Sequence, residues 1–359
     1  MTKLEPKYTL YDSIEQMLVP EILSELLNKT VTRVDRRPIN EHSGMAGGQL
    51  SFVDTDGGRF VLKQMSISRD WVMYATQDHH CRAVTLWQYG FLDQLRPYLE
   101  HKIIACSRNG DGWAILMEDL TGHIYTWDKP ITPDLVHLFL DRLARLHATF
   151  WEDPRLPETS LGLCSPTQLI GAISLELAQK NMYLAMGLLP EWIVGGWEVM
   201  ETMLDKDVYE HMRNLTEDPR PLVRALSRYP YTLLHGDYRP ENLAHSENPV
   251  ALDWQGAVYS LMTIDLAWFV DGRHVWDTIG RKTAIRYYRE RLENYLGVQF
   301  DDTAWQIMVE LGTLVHALRF TFIYAYWYKH TEDLIERQIN ETKLMERNQQ
   351  FRDGIRWLK

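Results

Sequence analysis

His235-Gly236-Asp237-Tyr238-Arg239-Pro240-Glu241-Asn242, followed by Asp253-Trp254-Gln255, is the stretch on which the reading of this 359-residue chain turns. Its surroundings are strand-like: Tyr231 to His235 before it, then Asn242 to His245 and Val250 to Trp254 around a Ser246-Glu247-Asn248-Pro249 turn. Asp237 and Asn242 therefore stand at the two ends of one tight loop, and a short hairpin returns Asp253 beside Asn242. Phosphoryl transfer from a nucleotide needs a carboxylate to orient and deprotonate the attacking hydroxyl, hard oxygen ligands for Mg²⁺, and a cation on the phosphates. Asp237 suits the first role, Asn242 and Asp253 the second. The competing reading is a capped turn whose carboxylates only satisfy backbone N–H groups. At about 1 in 20 per residue, His, Gly, Asp, Asn and the later Asp coincide by chance roughly once in a few million starts.

The stretch resembles the catalytic core of the aminoglycoside phosphotransferase and choline kinase group, H-G-D-x-x-x-x-N followed by a strand ending in Asp-Trp or a similar pair. The resemblance implies an α+β, protein-kinase-like fold of two lobes: a small antiparallel sheet with the nucleotide, residues 1–118, and a larger, mainly helical lobe with the catalytic loop and acceptor site, residues 119–359. It implies Asp237 as base and Asn242 and Asp253 on Mg²⁺. Leu143-Ala144-Arg145-Leu146-His147-Ala148 is similar to the family's L-A-x-L-H-A helix, and Asp265 resembles the Asp that braces the catalytic loop. His147, His235 and Asp265 are read as structural.

Working outward toward the N-terminus, Thr30 to Val34 and Leu50 to Val53 read as strands, and Asp56-Gly57-Gly58 as a hairpin turn into Arg59-Phe60-Val61-Leu62-Lys63. Lys63 closes that alternating strand, as the phosphate-contacting lysine does in kinases; taken alone it is an edge lysine in solvent. Ser43-Gly44-Met45-Ala46-Gly47-Gly48-Gln49 lies where kinases place a phosphate-covering loop, so Gly44, Gly47 and Gly48 are nucleotide-site candidates, with a plain glycine hairpin as the alternative. After strands at 102–106 and 113–117, Glu118-Asp119-Leu120 resembles the hinge where backbone groups meet the base. Helices are expected near 78–95, 133–150 (Thr132 as cap, Pro133 at the first position), 168–186, 197–213, 279–296 and 303–328.

Two departures stand out. Protein kinases pair the strand lysine with a glutamate on the following helix; here Cys81 to Trp87 holds none, and Ala83 falls at the matching position. Either another acid, such as Asp78, serves Lys63, or the lysine is held differently. Gln255 also stands where D-F-G has glycine, and no A-P-E segment follows. That disfavours a phosphorylation-switched protein kinase and favours a small-molecule acceptor.

Composition narrows the rest. Hydrophobic residues at 45% and charged residues at 24% describe an ordinary globular protein. The 38 Lys+Arg against 49 Asp+Glu leave a net charge of −11, which disfavours nucleic acid and anionic membranes as partners. Three cysteines without a C-x-x-C pair, and a start without an apolar run, suggest a cytoplasmic protein with reduced thiols. The apolar run 311–328 contains His316 and Arg319 and reads as a buried helix. Eight acids between Glu191 and Asp218, and the aromatics Phe320, Phe322, Tyr324, Tyr326, Trp327 and Tyr328, suit a cationic alcohol in principle; a solvated helix face and buried core are the simpler readings. The first expectation is an ATP- or GTP-dependent kinase of a small-molecule hydroxyl, an aminoglycoside or amino alcohol being the implied type. A nucleotide-binding pseudokinase or scaffold without turnover is the second.

Overall fold

The computed structural model describes residues 4–39, 45–126, 131–184, 186–245 and 248–358. Six strands, β1 (Leu10–Tyr11), β2 (Val34–Pro38), β3 (Gln49–Thr55), β4 (Gly58–Met65), β5 (Ile103–Asn109) and β6 (Gly112–Glu118), form one sheet in the order β1-β5-β6-β4-β3-β2. All neighbours are antiparallel except β1, which runs parallel to β5, so the sheet is mixed. Alternation along each strand divides its two faces. Phe60 and Leu62 of β4 and Ala114 and Leu116 of β6 enter a small core with Ile14, Met17, Leu23 and Val53. Lys63, Met65, Ile115 and Met117, one residue out of phase, face a cleft instead.

The expected strand at Thr30 to Val34 is displaced: pairing starts at Val34. The backbone N–H of Val31 donates to the Ser24 hydroxyl at 2.9 Å and that of Thr32 to Asp56 at 3.0 Å. Side chains thus take the groups a ladder would have used. The helix expected over 78–95 is α2 (Arg82–Gln88), preceded by α1 (Trp71–Ala75) and followed by a 3₁₀ turn at Leu92–Leu95. Gly90, at φ +72°, separates the last two.

Beyond β6 the chain is mainly helical. α3 (Pro133–Thr149) starts as expected, its Thr132 hydroxyl accepting from the N–H of Leu135. The stretch 168–186 is several short pieces rather than one helix. The single helix expected over 197–213 is two, α4 (Leu189–Met203) and α5 (Lys206–Glu217). Leu204 is extended between them, and the N–H of Asp205 is held by Asn348 at 3.0 Å. α6 (Thr263–Val270), α7 (Arg281–Leu296), α8 (Asp302–His330) and α9 (Leu334–Ile355) complete the layer. α8 is apolar and long enough to span a membrane, yet it packs against α4, α6 and α9 and is mostly buried there. Among the described residues the three cysteines are free and buried.

Candidate active site

Four short strands hold the central loop. β7 (Thr232–Leu234) pairs with β10 (Val258–Ser260), and β8 (Leu243–Ala244) with β9 (Val250–Ala251). β10 had no counterpart in the sequence reading, and Ser246 and Glu247 of the expected turn lie outside the described residues. The backbone N–H of Leu252 donates to the carbonyl of Asn242 at 2.8 Å, extending the β8–β9 ladder by one step. That step sets Asp253 beside Asn242. Gly236 has φ +78°, and a Cβ on it would lie 1.9 Å from the Gly256 carbonyl oxygen. Only glycine fits between the loop and the Asp253 turn.

Asp237 is met by two donors. Asn242 Nδ2 donates to Oδ2 at 2.8 Å and Trp268 Nε1 donates to Oδ1 at 2.6 Å. Arg239 Nε lies 3.4 Å from Oδ1, and about a third of the Asp237 side chain (34%) remains exposed. Burial raises the pKa of this carboxyl, but Arg239, the Trp268 N–H, His235 and Arg319 outweigh it and hold it below the usual range. At neutral pH the group is an ionised, partly exposed acceptor, which is the state a general base requires.

The backbone of the loop is fixed from behind. Asp265 accepts from the N–H of His235 at 2.7 Å and of Gly236 at 2.9 Å. His235 donates Nε2–H to the Leu252 carbonyl at 2.8 Å and accepts the Asp237 N–H at Nδ1 (3.3 Å), so both its nitrogens are used structurally. His147 is fully buried, bonded to Tyr288 at 2.5 Å, with its pKa lowered by burial.

Trp268 and Arg319 were not picked out as site residues from sequence. Trp268 lies one turn after Asp265 on α6, on the same face; once Asp265 is known to brace the loop, its i+3 neighbour must face that loop too. The Trp268 ring stacks on Phe320 at 4.0 Å with 4° between planes. Arg319 Nη1 donates to the Gly236 carbonyl at 3.1 Å; a charge inside an otherwise apolar helix was its signal.

The structure brings Lys63 to the Asp253 turn. Its Nζ donates to Asp253 Oδ1 at 2.8 Å and to Gln255 Oε1 at 2.7 Å. Asp253 itself has φ +61°, a conformation Asp tolerates better than most residues and one that gathers at functional sites. Asp78, the acid suggested for Lys63, is turned elsewhere: it accepts from the N–H of Arg82 and pairs with its guanidinium at 3.3 Å. Lys63 is held differently. It borders a cleft between the sheet and the helical part, lined by Ala83, Ile103, Ile115, Met117, Leu252 and Trp254 among others.

The glycine loop lies next to Lys63. A Cβ on Gly48 would sit 3.6 Å from Lys63 Cε and 3.8 Å from Asp70 Oδ2, and Gly47 (φ +100°) is pressed against the Arg69 carbonyl. Gly44 lies outside the described residues. The loop also reaches the helical part, with the Met45 carbonyl accepting from the N–H of Leu188 at 2.9 Å. Glu118 ends β6, gives its N–H to the Lys102 carbonyl at 3.1 Å and turns its side chain toward Lys102 Nζ; Met117 borders the cleft instead.

Asn242 and Asp253 fit a small hard cation. With the Asn242 Nδ2 committed to Asp237, its carbonyl oxygen and the Asp253 carboxylate would offer two oxygen donors to Mg²⁺, which would neutralise phosphate charge there. Among the described residues no group of three or more His, Cys, Asp or Glu forms a self-sufficient metal site.

The acids near Glu191 are largely taken up on the surface: Glu198 faces Lys329, Asp205 and Asp207 face Arg352, and Glu217 faces Arg213. Phe322 is buried, Tyr324 bonds Asp271, and Phe320 alone of the late aromatics stacks on the Trp268 that holds Asp237.

Trp268→Phe keeps the stack on Phe320 and removes the N–H. Loss of a hydrogen bond to a charged group, roughly 1.5–3 kcal/mol, leaves Asp237 a weaker acid. The acidic limb of the kcat/KM profile is then expected to move up by about one pH unit or more, with a fall in kcat. An unchanged limb would refute the link.

By sequence the chain belongs to the phosphotransferase enzyme family, whose model matches residues 39–306. Its fold is protein-kinase-like, a mixed-sheet N-terminal lobe with a mostly helical remainder. Plasmodium vivax ethanolamine kinase is similar at TM-score 0.55 and 14% identity, covering 93% of this chain and 84% of that one. An amicoumacin kinase in complex with AMP-PNP, Ca²⁺ and Ami is similar at 0.52 and 13%, covering 95% and 90%. Choline kinase from Cryptosporidium parvum Iowa II is similar at 0.50 and 13%, covering 89% and 90%. A comparison with curated proteins found no match.

Proposed function

We propose that this chain transfers the γ-phosphoryl group of ATP or GTP to a hydroxyl of a small molecule. The observation that carries the proposal is one continuous path of contacts: Asp237 to Asn242, Asn242 through the β8–β9 ladder to the Asp253 turn, and Asp253 to Lys63. Base, cation ligands and phosphate-binding cation stand together in the order the chemistry uses them.

In this reading residues 1–118 hold the nucleotide, its base near Glu118 and its phosphates under the loop with Gly44, Gly47 and Gly48. Residues 119–359 supply the catalytic loop and the acceptor site. Asp237 receives the acceptor hydroxyl through its exposed edge and takes its proton as the oxygen attacks the γ-phosphorus in line. The bond to the β-phosphate oxygen breaks, and the nucleoside diphosphate leaves. Lys63 neutralises charge on the phosphates. Mg²⁺, held by Asn242 and Asp253, would screen the phosphate charge. The ethanolamine and choline kinases among the similar structures make amino alcohols, with amino sugars, the first acceptors to try. The protein is read as cytoplasmic.

The test is thermal stability with ATP, GTP and Mg²⁺, separately and combined. A rise that needs both Mg²⁺ and one nucleotide is expected; at a hundredfold excess over Kd it amounts to about 2.7 kcal/mol. No rise with any combination would contradict the assembled site.

A further inference from the structure

Two buried polar residues behind Lys63 are not used by that chemistry. Gln255 is 6% exposed and Asp70 fully buried, and the two bond each other, Gln255 Nε2 donating to Asp70 Oδ2 at 3.0 Å. The other ends of both side chains are also committed. Gln255 Oε1 accepts from Lys63 at 2.7 Å, and Asp70 Oδ1 accepts from the N–H of Met73 at 3.0 Å, capping α1. An ammonium on one side and a carboxylate on the other fix the amide in one orientation, since Lys63 can only donate and Asp70, once ionised, only accept. The main chain of Gln255 is tied down as well, its carbonyl accepting from Arg82 Nη1 at 3.4 Å. Nearby, α2 presents only the methyl group of Ala83 to the same cleft.

We propose that Gln255, backed by buried Asp70, is the positioning residue that holds Lys63 for the nucleotide phosphates. The inference rests on the phosphate-binding role of Lys63 proposed above. Its physical content is a separation of holding from neutralising. A carboxylate in contact with Lys63 both orients the ammonium and cancels its charge. An amide oxygen orients it and leaves the charge to the phosphates, while Asp70, whose pKa burial raises, fixes the amide from behind. Asp253, which also bonds Lys63, would be shared with the cation, whereas the Gln255 amide oxygen serves the lysine alone. The anchor is also carried by the same short turn as Asp253, so lysine and cation ligand are positioned together and do not depend on the placement of α2.

The proposal is tested with Gln255→Leu, which keeps the bulk and removes both hydrogen bonds, and with Gln255→Glu combined with Asp70→Asn, which moves the carboxylate next to Lys63 and leaves an amide donor behind it. Two quantities are read on each folded variant: the rate at which Lys63 is acylated by an amine-directed reagent, located by peptide mass spectrometry, and the nucleotide KM against kcat. For Gln255→Leu we expect Lys63 to be acylated at least several-fold faster than in the parent, and the nucleotide KM to rise about tenfold, as for loss of one charge-assisted bond. In the double variant the acylation rate falls to or below that of the parent, since a carboxylate anchors the lysine again. A parental acylation rate in Gln255→Leu overturns the proposal. So does a double variant as reactive as Gln255→Leu, and this outcome decides if Gln255→Leu does not fold. The acylation arm needs no nucleotide. A parent protein that binds no nucleotide therefore refutes the phosphotransferase reading while the anchor is still judged on Lys63 itself.

Discussion

Asp237→Asn is expected to fold like the parent and still bind nucleotide, with turnover lower by about three orders of magnitude or more. The loss has two sources. The first is the base itself: an amide cannot take the proton of the acceptor hydroxyl. The second follows from the geometry around the side chain. Trp268 Nε1–H and Asn242 Nδ2–H both converge on Asp237, at 2.6 and 2.8 Å, and a carboxylate accepts both. An amide accepts one and sets a donor against the other. The relief available is rotation of the Asn242 amide, which turns its NH₂ toward the position where its oxygen would meet the cation. Asp237→Asn should therefore also weaken the Mg²⁺ dependence of nucleotide binding several-fold. Rapid-quench measurement of nucleoside diphosphate formation gives the first effect and a Mg²⁺ titration of thermal stability the second. Turnover within tenfold of the parent would remove Asp237 from the role assigned to it.

Asp271→Asn should be the most destabilising single change of the charged residues. Asp271 is 1% exposed and receives Lys343 at 3.0 Å, Arg347 at 2.6 Å, His316 at 3.0 Å and the Tyr324 hydroxyl at 2.8 Å. Burial pushes its pKa up, but Arg347, His316 and Lys343 outweigh it and hold the carboxyl well below the usual range. Removing the charge leaves two cations buried without a counter-ion, a cost of about 3–5 kcal/mol, or a fall in Tm of roughly 4–7 °C for a chain of this length. The pH dependence has two parts. Asp271 has a depressed pKa in the folded protein, so its contribution is full above the unfolded carboxylate value and is lost as pH falls through the folded one. Lys343 is pushed down to about 8 by burial, against partial support from Asp271. Between the unfolded lysine value and about 8 the unfolded chain binds more protons, so this group lowers stability as pH falls through that window. Lys343→Met should flatten the alkaline slope and cost less than Asp271→Asn, which chemical denaturation across pH can check. The cluster bears on the site as well: the His316 ring lies 5.1 Å from that of Trp268, the residue bonded to Asp237.

What could be read in the sequence was set by how local its cause is. The 235–255 stretch was legible because two tight turns and a short hairpin bring Asp237, Asn242 and Asp253 together without help from distant chain. The placement of Lys63 was legible because alternation in Phe60-Val61-Leu62-Lys63 puts it opposite the core face. Trp268 and Arg319 reach the loop from helices, and nothing near them in sequence names their partner. The helix after the Lys63 strand holds no glutamate, and the sequence left open either another acid such as Asp78 or a different holding; the bonds to Lys63 come from Asp253 and Gln255, 190 and 192 residues further along the chain. Thr30 to Val34 carries strand-like residues, but hydroxyl and carboxylate groups took its backbone N–H groups before a ladder could. α9 escaped notice because its buried face includes Lys343, Arg347 and Asn348, which read as a solvated surface until Asp271 is seen among them.

The most direct test of the account is transfer itself. The purified protein is incubated with Mg²⁺ and γ-labelled ATP or GTP against a library of amino alcohols, amino sugars and other small alcohols, and products are read by mass spectrometry. The account predicts a phosphate monoester on a hydroxyl of at least one acceptor, formed with release of one nucleoside diphosphate per product and absent with Asp237→Asn. Mg²⁺-dependent nucleotide binding with no label on any acceptor across the library would contradict it and favour a nucleotide-binding protein without turnover.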